Sequence, residues 1–424
     1  DGSTFRVTPE HKFRVITHDG FEWVPAEELS ADDRIARPNR LPTPSGDSAI
    51  RWEEEMDPDL TEVTLDAGTA DSLGLARTVS LETLRSTAGT SDEWVDGVET
   101  IEYVNRGRRS RSITPPTEVT PELARFVGLA VSEARIDGGR IKFYNTDDAL
   151  LDAFESAAHD VFDVETRRGV QKDVPYVAIG SRTLTHYLES VFDVFSSASG
   201  GDGIGSVLVT AGDDTCAAFL RAMFDAEAHV STNGTIELTQ RNPDHITLLS
   251  YLLTTFGISA RRKELQKSAT NGSGIERTYH ALYVSNARNL RRFDDAVGFS
   301  IAHKAKRLSE HADKDINSNH DTIPTQTVLR DLCRQLDIPI TDHLPKSLNP
   351  ESPGRQRYCS VLDEVVDAAT ERIEDTQRAL ARLEALRPEL AATTTVPAEW
   401  IDSREELAPI ETRKEVSEVV GARS

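Results

Sequence analysis

One stretch of this 424-residue chain occurs twice, and it constrains the fold more than any other feature. The copies run from Phe126 to Ala134 and from Leu220 to Ala228, and each is an apolar segment that ends in Glu133-Ala134 or Glu227-Ala228. Both copies are followed by a strand, an Asn-x-Asp turn, a helix, a second strand and a second helix. Such a duplication predicts a pseudo-twofold domain in which two copies of one element meet at the axis.

The elements that follow each copy are predicted from hydrophobic periodicity. In the first half the strands are predicted over 140–144 and 176–179, and the helices over 149–162 and 184–192. In the second half the strands are predicted over 235–239 and 281–284, and the helices over 246–256 and 287–293. The whole unit is predicted to span residues 116–300, with halves at 121–195 and 212–300 and a linker near 196–205.

The two apolar segments are the candidates for the helices at the axis. Gly128 in one and Ala222 in the other would let the helix backbones approach closely. This packing brings Glu133 and Glu227 together, and two buried like charges cost free energy unless a cation neutralises them. The pair therefore predicts a Mg²⁺ site that activates water for phosphodiester attack. The alternative is that both glutamates simply end amphipathic helices.

The duplicated stretch resembles the LAGLIDADG homing endonucleases, specifically the DOD-type enzymes carried inside inteins. The resemblance covers about residues 121–300, and it implies an α+β pseudo-twofold fold, a monomer and metal-dependent cleavage of a long double-stranded DNA site. It places the family's catalytic and metal-binding acid at Glu133 and Glu227. The chain departs from the family in having Glu for the commoner Asp, Ala134 and Ala228 for the usual Gly, and no Lys over 196–216, where a supporting lysine often lies.

Residues 1–40 alternate apolar and polar side chains and are predicted to form β-hairpins. Within them, Thr8-Pro-Glu-His11 resembles the intein block whose Thr and His assist the first acyl shift of splicing. A turn-capping Thr and a surface His are the alternative. Since neither a leading nucleophile nor a terminal His-Asn pair is present, we expect a partial intein (Hint) segment that does not splice alone and whose full precursor carries host exteins.

Two further regions flank the repeat. Residues 41–115 are predicted to be an irregular acidic insertion followed by a strand that ends in a basic cluster. Residues 301–424 are predicted to form a helical C-terminal domain, with an amphipathic helix or helical pair over 360–390. Residues 412–424 have the outline of a truncated helix-turn-helix unit.

Basic residues on or beside predicted strands are the candidates for DNA contact. The resembled family reads duplex DNA with two antiparallel sheets in the major groove, which implies readers borne on strands. For the cluster over 106–111, a solvated basic turn is the alternative. The candidates are Arg106, Arg108, Arg109, Arg111, Arg140, Lys142, Arg167, Arg168, Arg241, Arg261, Arg262 and Lys263.

The formal net charge of −23 contrasts with the basic surface that nucleic-acid binding favours. Acidic residues are dispersed and Lys is scarce beside Arg, which is typical of a protein from a haloarchaeon-like, salt-rich cytoplasm. The three cysteines have no metal-ligand spacing. No membrane span or signal peptide is evident, so we expect a cytoplasmic protein without a membrane partner. The alternative functions are a DNA-binding module that no longer cleaves and a fragment whose main role is protein splicing.

Overall fold

The computed structural model describes residues 6–17, 20–42, 48–89, 91, 93–137, 139–195, 205, 208–268, 276–312, 323, 326–339, 354–370 and 377–397. The predicted linker over 196–205, apart from Gly205, and the helix-turn-helix outline over 412–424 lie outside these residues. Among the helices of the described part, none is both long and apolar enough to cross a lipid bilayer.

The first sheet joins the two ends of the described chain. Its strands are β1 Lys12–Thr17, β2 Gly20–Pro25, β3 Arg34–Pro38 and β16 Thr393–Pro397. Their antiparallel order is β16-β3-β1-β2. The hairpin between β1 and β2 was predicted, whereas the pairing of β3 with β16 was not. Asn39 N, just after β3, donates to Ala392 O at 3.0 Å, so the chain leaves this sheet and returns to it at one point.

Residues 48–119 form an ordered α/β unit, so the prediction of an irregular insertion was wrong. Its elements are α1 Trp52–Glu55, β4 Thr61–Leu65, α2 Ala67–Leu73, β5 Thr78–Ser80, α3 Leu81–Ala88, β6 Val98–Asn105 and β7 Arg108–Arg109. The sheet has the order β5-β4-β6-β7 and packs through Trp52, Val63, Leu81 and Ile101. The sequence hides this unit because its elements are short and their apolar residues stand singly between acidic and polar ones.

The duplicated unit follows, and its halves have the same order of elements. The first half consists of α4 Pro121–Glu133, β8 Ala134–Asp137, β9 Arg140–Tyr144, α5 Asp148–Phe162, β10 Thr166–Gln171, β11 Val174–Ile179 and α6 Arg182–Phe192. The second half consists of α7 Asp213–Glu227, β12 Ala228–Val230, β13 Ile236–Gln240, α8 Pro243–Thr255, β14 Ala260–Ser268, β15 Glu276–Val284 and α9 Ala287–Ala296. The two sheets are antiparallel, with the orders β10-β11-β9-β8 and β12-β13-β15-β14.

The turns that start the second helix of each half confirm the Asn-x-Asp prediction. Asn145 Oδ1 accepts a hydrogen bond from Asp147 N, and Asn242 Oδ1 accepts one from Asp244 N, both at 2.9 Å. Helix α4 begins where Thr120 Oγ1 accepts from Leu123 N at 3.2 Å. These bonds satisfy backbone donors that have no partner within the helix.

Each half has four strands, whereas the sequence predicted only two. The strands that were missed, β8, β10, β12 and β14, lie on the edges of the two sheets. β10 and β14 carry mostly charged or polar residues, so they lack the apolar alternation on which the prediction rested.

A continuous hydrophobic core connects the unit over 48–119 to both halves of the repeat. In the first half, Phe126 of α4 stacks on Phe154 with ring centroids 5.1 Å apart, and Phe154 stacks on Phe143 at 4.7 Å. The motif helix is thereby fixed to its own sheet through two aromatic contacts.

Helices follow the repeat, and the last three pack on the first sheet. They are α10 Ala302–Ala312, α11 Gln326–Gln335, α12 Arg355–Thr370 and α13 Gln377–Ala392. Ile16 and Phe21 of β1 and β2 belong to the apolar cluster that the last three helices form. The pair α12 and α13 corresponds to the helical pair predicted over 360–390.

Candidate carboxylate site and nucleic-acid interface

The motif helices α4 and α7 are in direct contact at Gly128. A Cβ atom added at Gly128 would lie 2.9 Å from Ala222 Cβ and 3.0 Å from the backbone oxygen of Phe219. Real Cβ atoms essentially never come so close, so only glycine fits here without a shift of the helices. Gly128 and Ala222, the predicted interface residues, therefore face each other.

Glu133 and Glu227 are the last residues of these two helices. Burial raises the pKa of Glu133 above its ordinary value. The pKa of Glu227 is raised to about 8, first by burial and then by the negative charge of Glu133, while a hydrogen bond from Gln240 and the charge of Lys304 lower it. The packing of the helices therefore brings the predicted carboxylates close enough to repel each other.

This donor set fits a hard divalent cation such as Mg²⁺. A cation between the carboxylates would offset both the desolvation and the repulsion that raise the pKa of Glu227. In the described part of the chain no group of three or more His, Cys, Asp or Glu side chains is arranged to hold a metal. The remaining oxygen ligands would therefore come from the backbone, water or a phosphate.

Lys304 lies beside this pair and was not identified from the sequence as a site residue. Its Nζ donates to Asp225 O at 2.6 Å, and the carboxylates of Asp225, Asp147 and Glu227 all act on its charge. Burial nevertheless lowers its pKa below the ordinary value. The sequence pattern contains no signal that would place α10 beside the end of α7.

The open face of the first sheet of the repeat carries basic side chains that contact tyrosine rings and polar groups. Arg135 lies over the ring of Tyr144 at 4.1 Å, and Lys142 lies over that of Tyr176 at 4.7 Å. Lys142 Nζ also donates to Asp137 Oδ2 at 2.7 Å, so its side chain is only 14% exposed. Arg135 is therefore a candidate that sequence reasoning missed.

Strand alternation separates the neighbours Arg167 and Arg168. Arg167 is opposite Ala178 in the register and shares the open face with Lys142. Arg168 is opposite the buried Val177 and binds Asp152 and Glu155 of helix α5, with Nε 2.8 Å from Glu155 Oε2. The side chain of Arg168 therefore faces the helices and not the open face, and its role as a DNA reader stays a prediction.

The second sheet of the repeat has the same arrangement. Arg261 lies over the ring of Tyr283 at 5.1 Å on the open face, and Lys267 lies over that of Tyr279 at 5.9 Å. Arg262 points the other way, is half-buried and donates through Nη1 to Thr247 Oγ1 at 2.7 Å. Like Arg168, Arg262 lies on the helix side of its sheet, and its role as a DNA reader stays a prediction.

The remaining basic residues that were predicted to contact DNA fall into two groups. Arg140 and Lys263 are exposed on open faces, and Arg241 is exposed just after β13. The cluster over 106–111 forms the β6–β7 hairpin, where Arg106 and Arg108 are exposed. Two of its members are paired with carboxylates, Arg109 with Glu62 at 2.6 Å and Glu102 at 2.8 Å, and Arg111 with Glu165 at 3.4 Å.

Thr8 and His11 form one turn in front of β1. His11 N donates to Thr8 O at 3.0 Å, and the ring of His11 meets that of Phe13 edge-on at 5.2 Å. Ala26 N donates to His11 O at 2.8 Å, which fixes the turn to the end of β2. The two residues predicted to assist splicing are therefore adjacent, with Thr8 half-buried and His11 exposed.

Comparison with curated proteins finds that this chain is similar to segments of proteins with different names. It is 25% identical over 312 residues to the replication factor C small subunit of Methanocaldococcus jannaschii, covering 73% of this chain and 15% of the relative. It is 21% identical to the glutamine–fructose-6-phosphate aminotransferase of the same organism, covering 62% and 23%. It is also 21% identical to one component of the A-type ATP synthase of Pyrococcus abyssi, covering 47% and 19%. The chain thus spans less than a quarter of each relative.

Among solved structures, the homing endonuclease I-DmoI in complex with DNA and Mn has a TM-score of 0.30 and 13% identity, covering 42% of this chain and 97% of that chain. Full-length DUF199/WhiA from Thermotoga maritima has a TM-score of 0.33 and 12% identity, covering 66% and 94%. A family model described as the LAGLIDADG-like domain matches residues 214–298. The matched residues contain Glu227 and most of the second half of the repeat.

Proposed function

We propose that this chain is a site-specific double-stranded DNA endonuclease of the LAGLIDADG type, embedded in an intein, that hydrolyses phosphodiester bonds with Mg²⁺. The observation that carries the proposal is the carboxylate pair at the ends of α4 and α7. Burying two acids beside each other opposes folding, and the raised pKa of Glu227 reflects that cost. Perturbed carboxylates of this kind are typical of functional sites.

In this proposal Glu133 and Glu227 hold the cation, one from each half of the repeat. The chemistry supplied by a bound Mg²⁺ is Lewis acidity toward a phosphate oxygen and an attacking water. The contact at Gly128 fixes the separation of the two helices that end in these carboxylates, and partial burial reduces the contact of both carboxylates with water. The open faces of the two sheets would bind the duplex on either side, with Arg135, Arg140 and Arg261 among the contacting residues.

Two observations support an intein as the setting. The same sequence matches a replication factor, an aminotransferase and an ATP synthase component while spanning less than a quarter of each, which fits an inserted element better than a part of any host activity. In addition, the chain leaves and re-enters the first sheet at Asn39 and Ala392, as expected for a body inserted at one point. We extend the proposal to a DOD-type intein in the cytoplasm of a salt-adapted archaeon.

The proposal is tested with Glu133→Gln and Glu227→Gln, which remove charge while keeping size. Cleavage of a plasmid that carries the uninterrupted host site should fall by orders of magnitude in both variants. Duplex binding in Ca²⁺, measured by gel shift, should persist because affinity rests on contacts elsewhere. Arg168→Gln is a matched control, since its side chain faces α5. Variants that cut as well as the wild type would end the catalytic assignment.

A DNA-binding module without nuclease activity is the second candidate. Two departures from the resembled family favour it: Ala134 and Ala228 replace the usual Gly, and residues 196–216 contain no Lys. The same plasmid assay separates the two candidates. A wild type that binds its site and never cuts in Mg²⁺ would favour the binding module.

Protein splicing is the third candidate. A main-chain hydrogen bond places Thr8 and His11 in one turn, which supports this candidate because a hydroxyl and an imidazole carried on one turn can act on one peptide bond. In the full precursor, replacing His11 with Ala should block the first step of splicing while leaving plasmid cleavage intact. Unchanged splicing in that variant would remove His11 from the mechanism.

A further inference from the structure

We propose that Lys304 is a positioning residue for Glu227 alone, and that it makes the two strands of the DNA unequal substrates. The inference rests on the proposed nuclease function. It assigns a role to helix α10, which lies outside both halves of the repeat, and it predicts that the pseudo-twofold symmetry is broken at the carboxylate pair.

The end of α7 and the start of α10 hold each other through reciprocal bonds. The Asp225 carboxylate, only 4% exposed, accepts from Ser300 N at 3.0 Å and from Ile301 N at 3.4 Å, just before α10 begins. In return, Lys304 Nζ donates to Asp225 O at 2.6 Å and to Phe224 O at 3.5 Å. Carbonyls in the last turn of a helix lack partners within the helix, and a cation there is favoured by the helix dipole.

This anchor lies directly before Glu227. Asp225 is two residues upstream, so both its side chain and its carbonyl oxygen are fixed in the turn that orients the glutamate. The ammonium also lies close enough to Glu227 to lower its pKa. Lys304 thus fixes the backbone on which Glu227 stands and provides a positive charge beside it.

The first half has no matching anchor. The position equivalent to Asp225 is Val131, two residues before Glu133, and a valine side chain can neither accept nor donate a hydrogen bond. Within the described residues, burial is the cause that raises the pKa of Glu133, and no cation lowers it. Among the described residues, the end of α4 is held by the backbone bond from Ala134 N to Ala130 O, by a bond from Ser132 Oγ to Leu129 O at 2.8 Å within the same helix, and by packing, but not by a side chain from another element.

The charge of Lys304 also reaches the first half, because Asp147, the N-cap of α5, acts on it. The ammonium therefore lies at the junction of the halves, although its hydrogen bonds anchor only the second half. One scissile phosphate would meet a carboxylate whose helix end is bonded to α10 and lies beside an ammonium group, and the other a carboxylate whose helix end has neither of these contacts. Since a fixed geometry lowers the cost of reaching the transition state, the strands should be cut at different rates.

The test measures nicking of each strand separately, with Mg²⁺ and a duplex labelled on one strand at a time. We expect the wild type to cut one strand faster by about fivefold. Lys304→Met keeps the aliphatic stem but removes the charge, and it should bring the two rates together by slowing the faster strand. Lys304→Arg should restore part of the difference. Lys306→Met, an exposed lysine on the same helix, is the matched control and should change nothing.

A second readout needs neither metal nor cleavage. Hydrogen–deuterium exchange in the metal-free protein should be faster in Lys304→Met over the end of α7, residues 222–228, and unchanged over the end of α4, residues 128–134. Equal strand rates in the wild type, an unchanged rate ratio in a folded Lys304→Met, or faster exchange at both helix ends would each overturn the proposal. If Lys304→Met does not fold, the wild-type strand ratio and the Arg variant still decide.

The outcomes also separate this inference from the proposed function. A wild type that cuts neither strand overturns the nuclease proposal and, with it, the strand bias. Faster exchange confined to the end of α7 would even then support the anchoring role of Lys304. A wild type that cuts both strands equally leaves the nuclease proposal standing and overturns this one.

Discussion

Replacing Gly128 with Ala should destabilise the protein, although this substitution normally stabilises a helix. Glycine in the middle of a helix costs about 1 kcal/mol relative to alanine, so helix propensity alone predicts a gain of that size. The new Cβ would, however, lie 2.9 Å from Ala222 Cβ and 3.0 Å from Phe219 O. Neither atom belongs to a flexible side chain, so the two helices must separate.

The balance of the two effects sets the expected magnitude. Inserting a methyl group into a packed interface costs about 1–3 kcal/mol, which exceeds the gain in propensity. We therefore expect the free energy of unfolding to fall by about 1 kcal/mol. Combining Gly128→Ala with Ala222→Gly removes the contact at 2.9 Å but leaves the one with Phe219 O, so the double variant should show a coupling energy of about 1 kcal/mol and only partial recovery.

The measurement is urea unfolding of the two single variants and the double variant, followed by circular dichroism. Gly180→Ala is the control, because a Cβ there would meet nothing within 4 Å. Cleavage by Gly128→Ala should fall further than the stability loss explains, since the ends of these helices carry Glu133 and Glu227. A Gly128→Ala protein about 1 kcal/mol more stable than the wild type would refute the close contact between the helices.

Three further predictions follow from charge and register. The pKa of Glu227 is raised to about 8 from an ordinary 4.5, so between these pH values the folded protein keeps a proton that the unfolded chain has released. The free energy of unfolding of the metal-free protein should therefore fall as pH rises from 4.5 to 8. Urea titrations at several pH values should show a weaker pH dependence for Glu227→Gln. Arg261→Ala should weaken duplex binding in gel shifts and reduce the slope of log affinity against log salt concentration by about one. Arg262→Ala should leave binding unchanged but lower the melting temperature, because its side chain bonds to Thr247. With a net charge of −23, folding should improve as potassium chloride rises toward 1 M, where the screening length is about 3 Å, and full folding in dilute buffer by circular dichroism would contradict this.

The sequence predicts elements well where a long apolar pattern is present. The strand over 140–144 has the predicted bounds, and the helix predicted over 149–162 begins one residue earlier, at Asp148. Both motif helices were recognised because each is an apolar segment and the chain contains it twice. Such patterns are local, so they survive without knowledge of the partner element.

The features that were not predicted from the sequence depend mostly on contacts between residues far apart in the chain. The face on which Arg168 and Arg262 lie depends on strand register, and a shift of one residue would reverse it. The pairing of β16 with β3 links positions at opposite ends of the described chain. The contact of Lys304 with the end of α7 likewise needs the fold, because side chain and carbonyl meet only after α10 packs beside the motif helix.

The hydrogen bond between Asn39 N and Ala392 O has a consequence for the order of folding. As an unstructured loop, the roughly 350 residues between these positions would oppose closure of the first sheet by about 5 kcal/mol of chain entropy. Once the inserted body is compact, its entry and exit points are adjacent and most of that cost disappears. The folded body therefore stabilises the pairing of β16 with β3 by holding the two strands close together. β16 should join the sheet last during folding and should detach first when the body unfolds.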